Sequence, residues 1–410
     1  MGNRAIAIAG CGVGGLATAL FLARAGERVV LFERFDAPRP LGSGLMIQPT
    51  GMAVLAQLGL AQRILREGAR IDRLFGKAGG RVVLDVHYAA MGKADRFGIG
   101  MHRANLFAAL HDAVAAQGIE IRTSHTVAGS RLCGDKRVLV FDDGSTSEGF
   151  DLIVDGLGTK STLAPPTGHE LAYGALWASL DWPDDCDIDA RALSQRYRRS
   201  SRMIGILPLG TGGGETRRAA FFWSLKGSDL HGWRQAGLAA WKQEVRDLWP
   251  ECAPFLDRID DPQQLTFARY AHRTLARPNE ERLIHIGDAW HSASPQLGQG
   301  ANMALLDAWA LSAALARHDL IAPALAAAVA MRNRHVRLYQ WLTWLFTPVY
   351  QSDSRALPII RDRLVGPLSK LWPASTIQAA MVSGLIGNPL GPLGLDEHGE
   401  MPQAQMAMVR

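Results

Sequence analysis

The sequence has few of the features that mark a zinc protein, a disulfide-stapled protein or a membrane-spanning protein. Its four cysteines form no Cys-x-x-Cys pair and are far apart, at Cys11, Cys133, Cys186 and Cys252. We therefore expect no metal site and no disulfide framework. No apolar run reaches the roughly eighteen residues of a transmembrane segment, and the first residues lack a signal-peptide pattern. These absences predict a cytoplasmic protein with reduced thiols.

The chain also lacks a strong charge of either sign. Its 44 Lys and Arg residues exceed its 39 Asp and Glu residues by only five over 410 residues, and they are spread along the chain. A nucleic-acid partner requires a clustered basic face, so none is expected. With 48% hydrophobic and 20% charged residues, the chain is globular rather than disordered, and its length allows roughly two to three domains.

The amino terminus carries a glycine-rich turn between a strand and a helix. Residues 4–9 predict a buried strand, residues 16–25 a helix, and residues 28–33 a second strand that ends in Glu33. The spacing matches a dinucleotide-binding unit, in which Gly10 makes the turn, Gly12 admits the pyrophosphate and Gly15 allows close helix packing. Glu33 is placed to bind ribose hydroxyls. The remaining cofactor-binding candidates of this unit are Val13, Gly14 and Arg34.

A second candidate site lies between residues 287 and 302, after a predicted strand at 282–286 and before a predicted helix at 301–316. Asp288 follows the strand end, where open α/β sheets bind ligands, and its carboxylate can accept hydrogen bonds from a sugar or polyol. The helix start suits an anionic or electron-rich ring. An ordinary strand-loop-helix connection is the alternative. The candidates here are Gly287, Asp288, Pro295, Gly298, Gly300, Ala301 and Asn302.

Two segments between these sites add further candidates. Residues 38–51 predict a loop that contains Gly44, Leu45 and Gln48 and either lies against a ring, which its apolar residues favour, or is a plain surface connection. An amphipathic helix at 54–67 and a strand at 81–87 follow. Arg103 opens a predicted helix at 101–117. It either pairs with a pyrophosphate or ends in solvent. Short strands are expected at 119–123, 137–142 and 151–154.

From residue 172 to 271 the pattern changes to a second, mostly antiparallel sheet, with strands at 173–180, 194–199, 202–209 and 218–225. Aromatic and apolar side chains on this sheet are either core residues or walls of a cavity. With Gln48, the pocket candidates are Trp177, Met203, Ile206 and Trp223. An arginine cluster is interpreted as a solvated edge strand; its members are Arg196, Arg198, Arg199 and Arg202.

These patterns predict an α/β protein: a Rossmann-like nucleotide-binding domain, an inserted sheet domain and a helical carboxyl-terminal segment. The predicted domain boundaries are 1–75, 97–170 and 272–338 for the first, 76–96 and 171–271 for the second, and 339–410 for the third. The third segment caps the pocket, buries a dimer contact or touches a membrane surface, and we favour the first. The chain is expected to be a monomer or a homodimer.

Taken together, the glycine fingerprint, Glu33-Arg34, Arg103 and Gly287-Asp288 followed by Pro295-Gln-Leu-Gly-Gln-Gly-Ala-Asn302 resemble the FAD-dependent aromatic hydroxylases. These are single-component monooxygenases of the para-hydroxybenzoate and salicylate hydroxylase type. The resemblance covers roughly the first 340 residues. It implies that Glu33 binds the adenosine ribose, Arg103 the FAD phosphates and Asp288 the ribityl chain. Pro295 and residues 298–301 face the isoalloxazine, and residues 42–47 match the loop beside which the flavin swings.

The resemblance also implies the chemistry: reduction of FAD by NADH or NADPH, capture of O₂ as a flavin C4a-hydroperoxide, and transfer of one oxygen to a small aromatic or polycyclic substrate. No obligatory acid or base is identified. His291, Pro295 and Gln299 are the candidates near the flavin.

One departure from the family pattern leaves two alternatives open. The family has Gly-Ala-Asp-Gly in its middle motif, and here Leu157 takes the place of that Asp, with Asp155 as the nearest carboxylate. The departure puts the usual handling of NADPH in doubt and motivates a catalytically silent FAD-binding protein as one alternative. A flavin-dependent halogenase is the other, although the Trp-x-Trp-x-Ile-Pro motif of those enzymes is missing.

Overall fold

The computed structural model describes residues 4–37, 44–92, 96–369 and 371–397. Gly42, with the rest of residues 38–43, lies outside these ranges. The strands of the described residues are β1 (Ala5–Ala9), β2 (Arg28–Phe32), β3 (Gly44–Ile47), β4 (Ala69–Ile71), β5 (Arg73–Ala78), β6 (Arg81–His87), β7 (Gly98–His102), β8 (Glu120–Arg122), β9 (Val127–Cys133), β10 (Lys136–Phe141), β11 (Leu152–Asp155), β12 (His169–Glu170), β13 (Tyr173–Asp181), β14 (Ala192–Arg198), β15 (Arg202–Gly210), β16 (Arg218–Lys226), β17 (Thr266–Ala268), β18 (Ala271–His272), β19 (Asn279–Glu280) and β20 (Leu283–His285).

The α-helices, separated by several single turns of 3₁₀-helix, are α1 (Val13–Arg24), α2 (Pro49–Gln57), α3 (Ala61–Glu67), α4 (Arg103–Ala116), α5 (Leu230–Leu248), α6 (Ala253–Leu256), α7 (Asp288–His291), α8 (Gly300–Arg317), α9 (Ile321–Tyr350), α10 (Leu357–Ile360), α11 (Gly366–Leu368) and α12 (Ala374–Val382). A π-helical turn, Arg361–Val365, joins α10 to α11. No helix in the described part of the chain is long and apolar enough to cross a membrane.

A six-stranded sheet in the order β19-β20-β11-β1-β2-β8 forms the base of the nucleotide-binding domain. Its strands are parallel except for β19. The central strand β1 is the alternating sequence Ala-Ile-Ala-Ile-Ala, and all five of its residues are buried, because a parallel sheet is covered on both faces. Helices α1 and α8 pack together on one face and form the largest core cluster with α2 and α4.

The inserted domain is a seven-stranded sheet in the order β17-β13-β16-β15-β14-β5-β6. Its pairs are antiparallel except for β14 with β5. A small sheet of β3, β7 and β4 links it to the first domain. The predicted Rossmann-like domain and inserted antiparallel sheet are therefore confirmed.

Several sequence-based boundaries were wrong. The predicted boundary at residue 75 falls inside β5, which begins at Arg73. The helix predicted at 54–67 is two helices, since Gly59 adopts a φ of 72° between them. Residues 44–47 form a strand rather than a loop, and α9 runs unbroken through the boundary at 338. Helix α5 was missed entirely.

The arginine cluster does not form an edge strand. Strand β14, which carries Arg196 and Arg198, pairs with β15 on one side and β5 on the other, so it lies inside the sheet. Arg196 is half-buried, with its guanidinium carbon 4.5 Å from the centroid of the Trp249 ring. These arginines therefore contact neighbouring side chains, Arg196 the Trp249 ring and Arg198 the Glu244 carboxylate, and they do not protect an edge.

The sheet has two faces with different roles, and two pocket candidates lie on the wrong one. Side chains alternate along a strand, and Ile206 and Trp223 point to the outer face, where they form a core with Trp241 of α5. Both are fully buried there. Trp177 and Met203 point to the inner face, toward the nucleotide-binding domain. The sequence could not assign these faces, since both are apolar.

The outer core leads to a stability prediction. Replacing Trp223 with Ala removes a fully buried indole and is expected to lower the free energy of unfolding by about 3–5 kcal/mol, as for other large-to-small core changes. Urea denaturation measures this change. Trp341→Ala is the control, because Trp341 is 55% exposed and its loss is expected to change stability by less than about 0.5 kcal/mol. Equal effects of the two substitutions would show that the outer core is assigned wrongly.

Candidate FAD site

The first wall of the site is the turn between β1 and α1. At Gly15 a Cβ atom would lie 2.0 Å from the Gly10 carbonyl oxygen, and at Gly10 it would lie 2.7 Å from the Gly156 oxygen. These two glycines are required by the protein's own packing. At Gly12, by contrast, the nearest atom would be 4.0 Å away and the residue is exposed. Protein packing therefore does not explain Gly12, whereas close approach of a phosphate does.

The carboxylate of Glu33 stands beside this turn, at the end of β2. Its Oε2 accepts a hydrogen bond from the Cys11 amide at 3.0 Å, and its Oε1 accepts one from the Phe35 amide at 3.3 Å. Burial, assisted by the Glu33 charge, raises the pKa of the Cys11 thiol to about 12, so the thiol stays protonated. The half-buried carboxylate retains acceptor capacity for ribose hydroxyls. The next residue, Arg34, is exposed and stacks over the Phe35 ring.

The second wall is the segment from Gly287 to Asn302. Asp288 is exposed at the end of β20, and a Cβ atom at Gly300 would lie 3.9 Å from its Oδ1. Pro295 and Gly300 are also exposed, and Gly298 is half-buried. A Cβ atom at Gly298 or Gly300 would meet no atom closer than 3.8 Å. As at Gly12, the missing side chains leave room for a ligand.

The two walls belong to one site. A Cβ atom at Gly14 would lie 3.4 Å from Cβ of Ala304, and one at Gly287 would lie 3.1 Å from the same atom. The starts of helices α1 and α8 are thus in contact. The strands that lead to them, β1 and β20, both pair in parallel with β11, so their carboxyl ends meet at one edge of the sheet. Gly12 and Asp288 therefore open to the same side.

The third wall is strand β3 with Gln48 after it, and the Asn302 side chain holds it in place. Its Nδ2 donates to the carbonyl oxygens of Met46 and Gly298, each at 3.0 Å, and its Oδ1 accepts from the Gln48 amide at 2.8 Å. The amide is fully buried, so it serves as a clamp that holds β3 against the start of α8. Gln48 is also buried, and its Oε1 accepts from the Tyr88 hydroxyl at 2.6 Å. Three further candidates, Val13, Leu45 and Ala301, are half-buried along the same walls.

Arg103 is exposed at the first position of α4. The residue before it, His102, links the two domains. His102 Nδ1 accepts from the Ala104 amide at 3.1 Å and caps the helix, while its Nε2 lies 3.0 Å from the Ser179 hydroxyl on the inner face of the sheet. Burial, with the Arg218 and Arg103 charges, lowers the pKa of His102. The neutral ring is the state that can accept at Nδ1. Sequence reasoning missed this histidine because its partner is 77 residues away.

A buried ionic network supports the second wall from behind. Asp307 accepts hydrogen bonds from the Gly287 amide (2.9 Å), His291 Nε2 (2.6 Å) and Arg332 Nε (2.8 Å). Arg332 also donates to Nδ1 of His335 at 3.0 Å, and Nε2 of His335 donates to the Gly384 carbonyl at 3.1 Å. Burial alone would raise the pKa of Asp307, but the His291 and Arg332 charges outweigh it and lower the pKa to about 2.

Two of the three candidates near the flavin have other roles. The His291 side chain is buried against Asp307, so it holds the loop rather than facing the open site. Gln299 is also buried, and its Nε2 donates to the carbonyl oxygens of Val382 (2.7 Å) and Leu297 (3.3 Å). Pro295 alone of the three is exposed toward the site.

Asp155 does not replace the acid missing at Leu157. It is fully buried at the end of β11, where it accepts from the Leu157 amide (3.0 Å), the Ser161 hydroxyl (2.6 Å) and His285 Nδ1 (2.6 Å). Leu157 itself is half-buried and packs against a core cluster. The departure from the family pattern is therefore a change of packing as well as of charge.

A glycine turn before α1, carboxylates at the ends of β2 and β20, and a glycine-containing loop before α8 form an arrangement that fits FAD. Comparisons with known proteins agree. Residues 3–319 match the family model described as "FAD binding domain". The chain belongs to this FAD-binding family.

Two relatives span most of the chain. The 3-hydroxybenzoate 6-hydroxylase of Klebsiella oxytoca is 28% identical over 330 residues, which cover 77% of this chain and 80% of the relative. The phenazine 1,6-dicarboxylic acid hydroxylase of Lysobacter antibioticus is 29% identical over 338 residues, which cover 75% of this chain and 81% of the relative.

Solved structures show the same fold. A tetrameric form of 2-methyl-3-hydroxypyridine-5-carboxylic acid oxygenase superimposes with a TM-score of 0.78 at 19% identity, covering 95% of this chain and 98% of the other. Klebsiella pneumoniae HpxO, complexed with FAD and uric acid, superimposes with a TM-score of 0.77 at 19% identity, covering 93% of this chain and 97% of the other.

The network behind the second wall predicts a pH dependence of stability. Burial and the Arg332 charge lower the pKa of His335 well below its ordinary value. Below about pH 6.5 the unfolded chain binds a proton at this residue that the folded chain does not, so stability falls as the pH decreases from there. The melting temperature is expected to drop between about pH 8 and about pH 5.

His335→Gln is expected to reduce this pH dependence, because the amide can accept from Arg332 and donate to Gly384 without titrating. Part of the slope remains, since burial also lowers the pKa of His102 and of His272. His231→Gln is the control, because His231 is exposed. An unchanged slope in His335→Gln would show that His335 is not held neutral.

Proposed function

We propose that the protein is an FAD-dependent monooxygenase that hydroxylates a small aromatic or polycyclic ring with O₂ and NADH or NADPH. The observation that carries the proposal is the shared opening of Gly12, Asp288 and Gly298 at one sheet edge, next to the inner face of the inserted sheet. FAD supplies the electron transfer and the oxygen chemistry when bound. The chain's residues bind the cofactor, position the ring and exclude water.

The cofactor-binding roles follow from exposure and chemistry. The open amide groups of the turn at Gly12 and the start of α1 suit the pyrophosphate. The exposed Asp288 carboxylate suits the ribityl hydroxyl groups. The free amide groups at the start of the 18-residue helix α8, with their partial positive charge, favour negative charge on the flavin ring. Arg103 opens α4 near these walls and suits the phosphates.

The inner face of the sheet supplies a wall for the substrate ring. Trp177 is half-buried, and its ring centroid lies 4.7 Å from that of Phe222. Its Nε1 donates to the Tyr270 hydroxyl at 2.9 Å. Burial raises the pKa of Tyr270, so the phenol keeps its proton and can donate it in a hydrogen bond. Trp177 lies on the side of the sheet to which Met46 of β3 packs.

Hydroxylation is favoured over the two alternatives. The relatives are named as hydroxylases and monooxygenases, which argues against a halogenase. The hypothesis of a catalytically silent FAD-binding protein rests on Leu157 alone. The half-buried aromatic side chains of the inner face support a protein that binds a ring. Small aromatic rings fit such a wall through offset or edge contacts.

The purified protein is expected to be yellow and to lose its flavin absorbance when mixed with NADH or NADPH in a stopped-flow instrument. Candidate phenols, quinolones and polyketides are expected to stimulate both NAD(P)H oxidation and oxygen uptake. Flavin that is bound but not bleached at a catalytic rate by either nucleotide would support the silent protein instead.

Asp288→Ala tests the cofactor-binding role of this carboxylate, and Asp319→Ala is the matched control. Loss of a carboxylate that accepts hydrogen bonds costs about 1.5–3 kcal/mol, so FAD affinity is expected to fall about tenfold to a hundredfold. Asp319→Ala removes an exposed carboxylate at the far end of α8 and is expected to retain FAD. Equal FAD retention by the two variants, measured from flavin fluorescence after dialysis, would contradict the assigned role of Asp288.

A second prediction concerns the substrate wall. Trp177→Ala removes an inner-face ring and is expected to raise KM for the aromatic substrate about tenfold, the size of effect of one lost aromatic contact and its buried area. FAD content is expected to be unchanged. Trp223→Ala is the matched outer-face variant, which is expected to lower stability while leaving KM within about twofold. Equal KM values for both tryptophan variants would place the substrate elsewhere.

A further inference from the structure

The segment after α9 presents apolar side chains to solvent. Leu371 is 60% exposed and Trp372 is 83% exposed. Large apolar residues that are exposed together mark an interaction surface, whereas isolated ones do not. We call this surface the C-terminal face. Its members are Ile359, Ile360, Arg363, Leu364, Leu371 and Trp372.

Buried residues of the same segment fix the orientation of the C-terminal face. In the helical run through α10, the π turn and α11, Pro358, Arg361 and Gly366 are buried. Arg361 donates to the carbonyl oxygens of Val349 (3.2 Å) and Arg199 (3.1 Å). A buried arginine anchors the inner side of the run, and the apolar residues lie on the outer side. This is the reverse of the usual amphipathic helix of a globular protein.

Two basic residues of this segment, Arg355 and Arg363, are exposed. The two nearby acids are already paired, because Asp353 binds Lys226 and the Tyr173 hydroxyl, and Asp362 accepts from Arg361. The C-terminal face therefore combines exposed apolar groups with uncompensated basic groups.

Helix α9 carries the same combination next to the C-terminal face. Its exposed side includes Arg334 and Arg337, followed by Trp341 and Trp344. Residues at this spacing share one side of a helix. The opposite side packs into the protein. Both α10 and α12 lie against α9.

We propose that the C-terminal face docks on the surface of an anionic phospholipid bilayer. Exposed tryptophan and aliphatic side chains enter the boundary between headgroups and acyl chains, and arginines next to them bind anionic headgroups. A second copy of this chain is the rival occupant. A two-fold contact would bring the arginines of one copy against those of the other, which disfavours it. The proposal goes beyond the proposed function and does not depend on it.

The test uses the full-length protein and sedimentation with vesicles. The protein is expected to co-sediment with vesicles that contain phosphatidylglycerol and to bind phosphatidylcholine vesicles more weakly. Added salt is expected to release part of the bound protein. The tryptophan fluorescence of the protein is expected to shift to shorter wavelength on binding, because Trp372 leaves water. Light scattering without vesicles reports the oligomeric state of the same sample.

Three variants and one control make the test specific. Trp372→Glu and Leu364→Glu are expected to abolish co-sedimentation, and Arg363→Gln to weaken binding to the anionic vesicles about fivefold. Leu132→Glu is the control, because Leu132 is 41% exposed on the distant β9–β10 hairpin, and its binding is expected to match that of the wild type. Circular dichroism and FAD content verify that every variant is folded.

Two results would overturn the proposal. One is equal vesicle binding by Trp372→Glu and Leu132→Glu in folded samples. The other is absence of binding to both kinds of vesicle. In that case an oligomer in light scattering that Trp372→Glu dissociates would assign the face to self-association. Loss of monooxygenase activity has no part in either outcome, so failure of the proposed function is distinguishable.

Discussion

The carboxylate of Asp307 is the point on which the arrangement of the second wall depends. A fully buried charge is costly unless it is paired and hydrogen-bonded. Asp307 is satisfied by one backbone amide, one histidine and one arginine, and each belongs to a different part of the site. Because the amide is that of Gly287, the charge fixes the residue directly before Asp288. Asp288, the acid proposed to bind the ribityl chain, is thus positioned by a second, buried acid.

Asp307 also connects the wall to the helices that follow it. Arg332 lies on α9, and through His335 it reaches the carbonyl group of Gly384, beyond α12. Gln299 makes a second connection to the same region, to the carbonyl group of Val382. The carboxyl-terminal helices are therefore hydrogen-bonded into the loop that lines the site. They therefore hold this loop in place.

The elements that carry the candidate site could be predicted from the sequence. Glycine spacing, the acids at strand ends and the alanine-rich start of α8 are signals that neighbouring residues carry, and Gly12, Glu33 and Asp288 lie between or beside the strands and helices expected for them. Their roles toward FAD stay predictions. What the sequence could not supply was the direction of side chains within apolar strands. Ile206 and Met203 are both apolar and only three residues apart, yet their side chains lie on opposite faces of the sheet.

Long-range partners account for the other errors. His291 follows Asp288 so closely that a place beside the flavin was reasonable, but its partner Asp307 is 16 residues away and nothing local marks it. The arginines of β14 suggested an edge because the parallel pairing with β5, more than a hundred residues earlier, leaves no local trace. His102 was missed for the same reason.

Two polar groups beside the inner face of the inserted sheet are neutral, and their neutrality has a physical cause. Burial raises the pKa of Tyr270 and lowers that of His102, so both keep their uncharged forms at neutral pH. Arg103 at the start of α4 acts on both groups, and Arg218 of β16 acts on His102. Positive charge therefore reaches the inner face as well as the start of α4. Burial, the largest cause of both pKa shifts, keeps the phenol and the imidazole uncharged beside these cations.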